Sequence, residues 1–449
     1  MTLDTVPQPP VFAGASPLRD VDFFHDPTMV ADPYPVLERM RSTSPVLREP
    51  SLGVVVVTGY EEALAVVSDH ESFSSCNTVT GPVPGFPVPL DGLDESEVRA
   101  LIEAHRDELP FSDQLPSFDP PKHTAHRSLL SRLITPKRLK ENEEFMWRLA
   151  DQVLEPYVAA GGGEFIRAVG NPFALLVIAD LLGVPEADRP ELTARLTGDV
   201  SLGSTNETAM EHAPLEYLYA RFSDYIEDRR RHPRRDVMTE MAHATFPDRS
   251  TPEVIDVVRV AANLFSAGQE TTVRLLSSAL KILAEDPELQ QRLRRAPELV
   301  TNFVEEALRF ESPIRGDFRL ARATTDVGGV QIPAGAVVMV HYGAANRDPR
   351  QFDNPDVFDL DRHNARRHIA FGRGVHSCIG APLARAEAKV VIQRLLATTS
   401  AIEIDGAHHG PADARRYDYV PTYILRGLTD LHLKLTPAAD TESAEAVTG

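Results

Sequence analysis

Phe371-Gly-Arg-Gly-Val-His-Ser-Cys-Ile-Gly380 decides how the rest of the chain is read. It sets one cysteine, Cys378, in a glycine-punctuated loop that opens a helix running from Ala381 to Leu396. A helix N-terminus carries partial positive charge and unpaired amide donors, and both lower the pKa of a nearby cysteine. Glycines let the backbone turn tightly and come close to whatever the sulfur holds. The arrangement suits a thiolate that serves as a metal ligand. Two plainer readings compete with it. A lone thiol is most often a buried structural residue, and a phosphate-cradling loop would end in Lys-Ser/Thr, which is missing here.

The composition around that loop narrows the class. The chain has 449 residues, 42% of them hydrophobic and 25% charged, as in an ordinary globular protein. A net charge of -20 makes nucleic acid a poor partner. Cys76 and Cys378 are the two cysteines; a disulfide framework is not expected, and a reducing cytoplasm fits. The N-terminus has neither a basic segment nor an apolar core of the signal-peptide kind. No run approaches the ~20 apolar residues that a membrane helix needs, so no membrane anchor is expected.

Residues 1–30 read as an irregular arm, 31–436 as one large domain, and 437–449 as a disordered tail. Tyr34 to Met40 reads as a short helix, Gly53 to Thr58 as a strand and Tyr60 to Ser68 as a helix. Residues 77–121 form a long excursion. Its Gly81 to Leu90 stretch is too rich in Pro and Gly for regular structure, and it is read as a lid whose Phe86, Val88 and Leu90 face a ligand. From His123 to about Ala284 the pattern is helical, with breaks at 161–163, 183–186, 203–206 and 231–236. Residues 252–284 carry one long helix. Strand character returns at 320–342 and at Tyr423 to Leu435. The expected fold is mainly α with minor β.

Three further constellations carry chemistry. In Leu264-Phe-Ser-Ala-Gly-Gln-Glu-Thr-Thr272, Gly268 costs a helix interior ~1 kcal/mol against Ala. Thr271 and Thr272 can bond back to the i−4 carbonyl. In Glu305-Glu-Ala-Leu-Arg309, Glu306 and Arg309 share a helical face; by spacing alone the pair could be an ordinary surface ion pair of little worth. His123 and Arg127, one turn apart after Pro120-Pro121, join Arg319, Arg322 and His376 as cations that could hold carboxylates.

Together, and in this order, these motifs resemble the cytochrome P450 family. The resemblance runs from about Asp32 to the last strand. Phe371, Gly374, Cys378 and Gly380 match the fixed positions of the family's haem loop, in which the cysteine thiolate is the proximal iron ligand. The resemblance implies a single P450-type domain with a long central oxygen-binding helix and small peripheral β-sheets. It implies haem b (heme b, iron protoporphyrin IX) as cofactor, held by Cys378 with Phe371, Gly372 and Gly380, by Ala267 and Gly268, and by propionate contacts from His123, Arg127, Arg319 and His376. Arg319 fits the family's Arg-x-Ala pattern better than Arg322 does. It gives Thr271 the task of steadying bound dioxygen and Glu270 that of helping to deliver protons, with Thr272 an alternative for the alcohol. It makes the Glu306/Arg309 pair, with Arg362, a structural brace.

The implied activity is that of a soluble bacterial-type monooxygenase inserting one oxygen atom into an apolar small molecule such as a fatty acid, terpenoid, steroid, aromatic or polyketide. Two electrons would come from a separate ferredoxin or flavodoxin with its reductase, docking near Arg366, Arg367 and Arg373, and the chain is taken as a cytoplasmic monomer. Candidate substrate-lining regions are residues 77–118, 175–225, Ala261 to Phe265, Pro313 to Phe318 and Tyr419 to Ile424, with Arg315 and Asp317 unexpectedly polar among them. A peroxide-driven hydroxylase, a nitric-oxide reductase and a non-catalytic haem sensor remain as alternatives. The Glu270-Thr271 pair argues against a peroxide specialist, which needs no proton relay.

Overall fold

The long helical pattern after Thr251 closes into one 32-residue helix, Val254–Glu285, around which the rest is organised. Its start is fixed by a capping box in which Asp256 accepts from the Glu253 amide and the Glu253 side chain caps in return. Apolar residues recur on most of its faces, from Val257 and Ala261 to Leu280 and Leu283, so it is buried on nearly all sides. Helices Asn171–Leu181 and Ala213–Arg231 pack along it, as does Ala381–Thr398, the helix leaving the cysteine loop. That exit helix also packs on Pro136–Ala159 and Val300–Phe310. One large apolar core joins these helices. The computed structural model describes residues 21–196 and 213–438.

Strands are few and peripheral. A five-stranded sheet runs Val46–Arg48, Val55–Val57, Val337–Val340, Asp317–Ala321, Phe73–Ser74. Val55–Val57 and Val337–Val340 are parallel; the other pairings are antiparallel. Asp317 lies opposite Val340 and Arg319 opposite Val338, which fixes the face on which each side chain emerges. A second sheet places His432–Pro437 between Gly162–Glu164 and Thr399–Ile404. A two-stranded ribbon, Thr325–Val327 with Val330–Ile332, completes the β content. The fold is therefore mainly α with small sheets, as expected.

Several local expectations are revised. The last part of the supposed irregular arm is packed: Pro27–Ala31 is a helical turn capped by Asp26, and Phe23, Phe24 and Met29 are buried against Phe318 and Tyr423. Within the 77–121 excursion, Glu95–His105 is a helix with a full capping box at Asp94. Leu90 is buried with Cys76, Val98, Ile102 and Leu320, and Phe86 and Val88 pack on the same cluster. These apolar residues serve the excursion's own small core, not a ligand. The terminal strand is shorter than read, because Tyr423 to Leu431 is tied down by the isolated pairings Ile314 to Leu425 and Tyr419 to Leu428. The breaks at 203–206, the first twenty residues of the arm and the tail from 439 lie outside the described residues.

Candidate active site

The cysteine loop is a tight hydrogen-bonded turn. The Cys378 amide donates to Phe371 O at 2.8 Å, Gly372 N to Ile369 O at 2.9 Å and Ser377 N to Gly374 O at 3.1 Å. Gly374 has φ +70, and a Cβ there would lie 2.7 Å from Val67 O of the helix Tyr60–Ser68. The loop can sit this close to the neighbouring backbone only because that residue is glycine. Burial pushes the Cys378 thiol above its ordinary value; the amides of Gly380 and Ala381, which start the exit helix, and the charges of Arg127 and Arg385 pull it the other way. Cys378 is nevertheless exposed, whereas Cys76 is buried and its thiol is pushed up to about 11 by burial. A sulfur densely surrounded by protein yet reachable faces an internal cleft.

Basic groups converge beside it. The His123 and His376 rings lie 4.1 Å apart. His123 is 1% exposed, and its two ring nitrogens, with Nε2 of His376, are buried without a hydrogen-bond partner. Burial, with the positive charge of Arg127, pushes His123 down to about 4; burial, with Arg319 and His123, pushes His376 down to about 2. Arg127 donates to Ser377 O at 2.5 Å. Arg319 is buried, 3.1 Å from Asp317 and bonded to Thr78 Oγ1 at 2.9 Å. Arg322 points elsewhere, to Asp119 at 2.6 Å and Glu103 at 2.8 Å. Buried unpartnered donors cost about 1–3 kcal/mol each. Two neutral imidazoles with unpartnered ring nitrogens, each ring able to donate one N–H, stand beside two guanidiniums and a thiol and suit a group bearing carboxylates and a metal, which fits a haem.

Opposite in function is the middle of the central helix. Its flanks are buried, but Ser266 and Ala267 are exposed. The helix is continuous, with the Thr271 hydroxyl donating back to Ala267 O at 2.9 Å. Glu270 is paired with Arg274 at 2.8 Å, and Arg274 also donates to Leu428 O. Thr272, by contrast, is 3% exposed. A Cβ on Gly268 would meet Ile178 of the helix Asn171–Leu181 at 3.4 Å, an ordinary van der Waals contact.

The Glu306/Arg309 pair is fully buried, not a surface pair. Arg309 forks onto Glu306 at 2.7 Å through both Nε and Nη2, and Arg362 joins at 3.0 Å. Both arginines also hold backbone carbonyls of residues 346–357, which pins the segment leading to the cysteine loop.

Sequence reasoning missed the neighbouring Glu305, although it stands in the same quoted stretch. Its carboxylate takes a fork from Arg385 at 2.7 and 3.0 Å and a bond from His368 Nε2 at 3.1 Å. His368 Nδ1 accepts from the Ala370 amide, so Nε2 carries the proton. Arg385 lies over the Phe371 ring at 4.6 Å, locking the first residue of the loop. Arg315 is also explained. It is 5% exposed and donates to the carbonyls of Met29, Thr422 and Leu425, clamping the backbone at those three points. Asp317 accepts from Tyr342 at 2.7 Å.

Comparison with known proteins agrees with this geometry. The sequence profile "Cytochrome P450" matches residues 209–405. Cytochrome P450 144 of Mycobacterium tuberculosis is 34% identical over 397 residues, spanning 86% of this chain and 87% of that protein. The substrate-free structure of the Mycobacterium marinum cytochrome P450 CYP150A6 has 54% sequence identity and a TM-score of 0.88, covering 93% of this chain and 99% of that one. CYP109E1 of Bacillus megaterium in complex with corticosterone has 27% identity and a TM-score of 0.74, covering 90% of this chain and 98% of that one. Fold and site thus define a haem-thiolate oxidoreductase class, and the chain belongs to the cytochrome P450 family. It is a monooxygenase, and the family implies a haem-thiolate cofactor, a substrate, dioxygen and redox partners. Among the described residues no helix is long and apolar enough to cross a membrane.

Proposed function

We propose that this enzyme binds haem b through Cys378 and inserts one oxygen atom into an apolar small molecule, typically as a hydroxylation. The observation that carries the reading is the reachable Cys378 thiol, set against two helix-start amides and flanked by the unpartnered nitrogens of His123 and His376. The haem, when bound, supplies dioxygen activation with two external electrons, one oxygen atom entering substrate and the other leaving as water; thiolate donation favours O–O cleavage. Cys378 Sγ ligates the iron. His123, Arg127, Arg319 and His376 hold the propionates, with Phe371, Gly372, Gly380, Ala267 and Gly268 bordering the cofactor. Asp317, 3.1 Å from Arg319, partly neutralises that guanidinium.

The Thr271 hydroxyl donates to Ala267 O, which leaves its oxygen lone pairs free to accept from the cleft. Glu270, with water, would help deliver protons, and its pairing with Arg274 limits where the carboxylate swings. A steroid occupies one similar enzyme, and a hexadec-9Z-enoic acid on its acyl carrier protein another; an apolar substrate is proposed here on the same footing. Electrons come from a ferredoxin or flavodoxin carrier on the face of Arg366, Arg367 and Arg373, all exposed. Two free cysteines suit a cytoplasmic enzyme. The test is the carbon monoxide difference spectrum of the reduced protein. A red-shifted Soret band that is lost in Cys378→Ser is expected; its absence from folded wild type, or its survival in the variant, overturns the assignment.

A further inference from the structure

Asp119 is a buried carboxylate that the reaction above does not use. It is 4% exposed and stands where several segments meet. Its Oδ1 accepts from the Ser75 amide at 2.9 Å. Its Oδ2 accepts from Ser74 Oγ at 2.6 Å and from Arg322 Nη2 at 2.6 Å, and Arg106 Nη1 lies 2.8 Å away. Its backbone carbonyl accepts from the His123 amide at 2.9 Å, in the turn that starts the helix Lys122–Ser128. These partners are protein groups, so an effect of Asp119 on the cofactor passes through them.

The partners lead to the propionate cations by separate routes. His123 and Arg127 lie on the helix that begins just after Asp119. Arg322 directly follows the strand Asp317–Ala321, which carries Arg319. The Ser74-Ser75 step leads on to Thr78, whose Oγ1 accepts from Arg319 at 2.9 Å. One carboxylate thus joins the elements that bear His123, Arg127 and Arg319. Its charge matters because the other acid near Arg106 and Arg322 is Glu103, whose side chain is 60% exposed. An exposed ion pair is worth little, whereas removing one partner of a buried pair leaves the remaining charge uncompensated.

We propose that Asp119 is a positioning residue for the cofactor: it ties the helix of His123 and Arg127 to the strand of Arg319 and so holds these propionate-binding cations in one frame. The inference rests on the haem reading, since it needs those cations to hold propionates.

Haem release from the holoprotein to excess apomyoglobin, read beside the propionate bending modes in resonance Raman spectra, separates the two. Asp119→Asn keeps the size of the side chain but sets an NH2 donor among groups that are themselves donors. It is expected to release haem about 10–100-fold faster than wild type, the range for removing an outer-shell partner of a bound metal. The propionate bands should move, while far-ultraviolet circular dichroism shows the fold kept. Glu103→Gln is expected to match wild type in both readouts. An Asp119→Asn release rate equal to that of wild type overturns the positioning role. So does faster release with unmoved propionate bands, the mark of general loosening, or a Glu103→Gln that behaves like Asp119→Asn. Should Asp119→Asn fail to fold, Arg322→Met, which cuts the tie to the strand of Arg319, decides by the same two readouts. A wild type that takes up no haem overturns the haem reading instead.

Discussion

Thr271 illustrates how one side chain is prepared for its task by others. Its hydroxyl hydrogen is committed to Ala267 O, so the oxygen keeps lone pairs on the accessible side. Thr271→Ala removes that group without touching the thiolate. Product formed per electron should fall by about tenfold or more, less than the ~10²–10⁴ that positioned proton transfer contributes to rate, with the electrons recovered as hydrogen peroxide; Thr271→Ser should restore most of the coupling. Unchanged stoichiometry in the alanine variant would remove Thr271 from the proton path.

Glu305 is the matching case on the other side of the loop. Burial alone would raise its carboxyl, but bonds from His368 and Arg385 hold it at about 2, against an ordinary 4.5. A depressed carboxylate stabilises the fold fully above its unfolded value and progressively less as pH falls toward the folded one. Between 4.5 and 2 the shift corresponds to about 3 kcal/mol. The melting temperature of Glu305→Gln should therefore lie below wild type at pH 7, with the gap closing as pH drops from about 4.5 to 2.5. A gap that is constant over this range would mean that the carboxylate charge does not matter.

At the scale of elements, the cysteine loop makes tight demands on its backbone. Gly374→Ala puts a side chain on left-handed backbone, which costs about 1–2 kcal/mol, and drives a Cβ toward Val67 O. The expected outcome is a lower melting temperature together with reduced haem content, read from the ratio of Soret to protein absorbance; full haem loading at wild-type stability would refute the close-packing argument. This loop was legible in the sequence because its determinants are contiguous: the turn, the thiol and the helix start all fall within Phe371 to Ala381. The central helix was legible for the same reason, through its period.

The Glu306, Arg309 and Arg362 brace could be anticipated as a pattern, but only packing reveals that it is buried. The helix Glu95–His105 was hidden by the Pro-rich run before it, although Asp94 and Glu97 spell a capping box. Contacts such as Arg385 with Glu305 join residues far apart in the chain. No local period announces them, and only the folded arrangement brings those carboxyls to their partners. The choice between Arg319 and Arg322 is of this kind too: Arg319 lies within the strand Asp317–Ala321 and Arg322 just after it, and the pleat and the position of Asp119 send them to different places.

For the molecule as a whole, the distribution of charge sets how an acidic electron carrier would be received. The chain carries a net charge of -20, while Arg366, Arg367 and Arg373 stand exposed around the cysteine loop. An approaching acidic protein therefore meets repulsion from the whole and attraction from one patch, and salt weighs these differently. The Debye length is about 30 Å at 0.01 M ionic strength, 10 Å at 0.1 M and 3 Å at 1 M. At the lowest salt the carrier senses the full negative charge; near 0.1 M the distant carboxylates are screened but the patch at the contact is not; at 1 M both are lost. The rate of reduction by an acidic ferredoxin should therefore rise and then fall with ionic strength, in contrast to the steady fall of a simply complementary pair. Arg366→Glu with Arg373→Glu should abolish the maximum, leaving a rate that only climbs toward a plateau as salt screens the repulsion. Stopped-flow reduction under carbon monoxide measures this directly. A monotonic fall in the wild type, or a maximum that survives the double substitution, would place the docking face elsewhere.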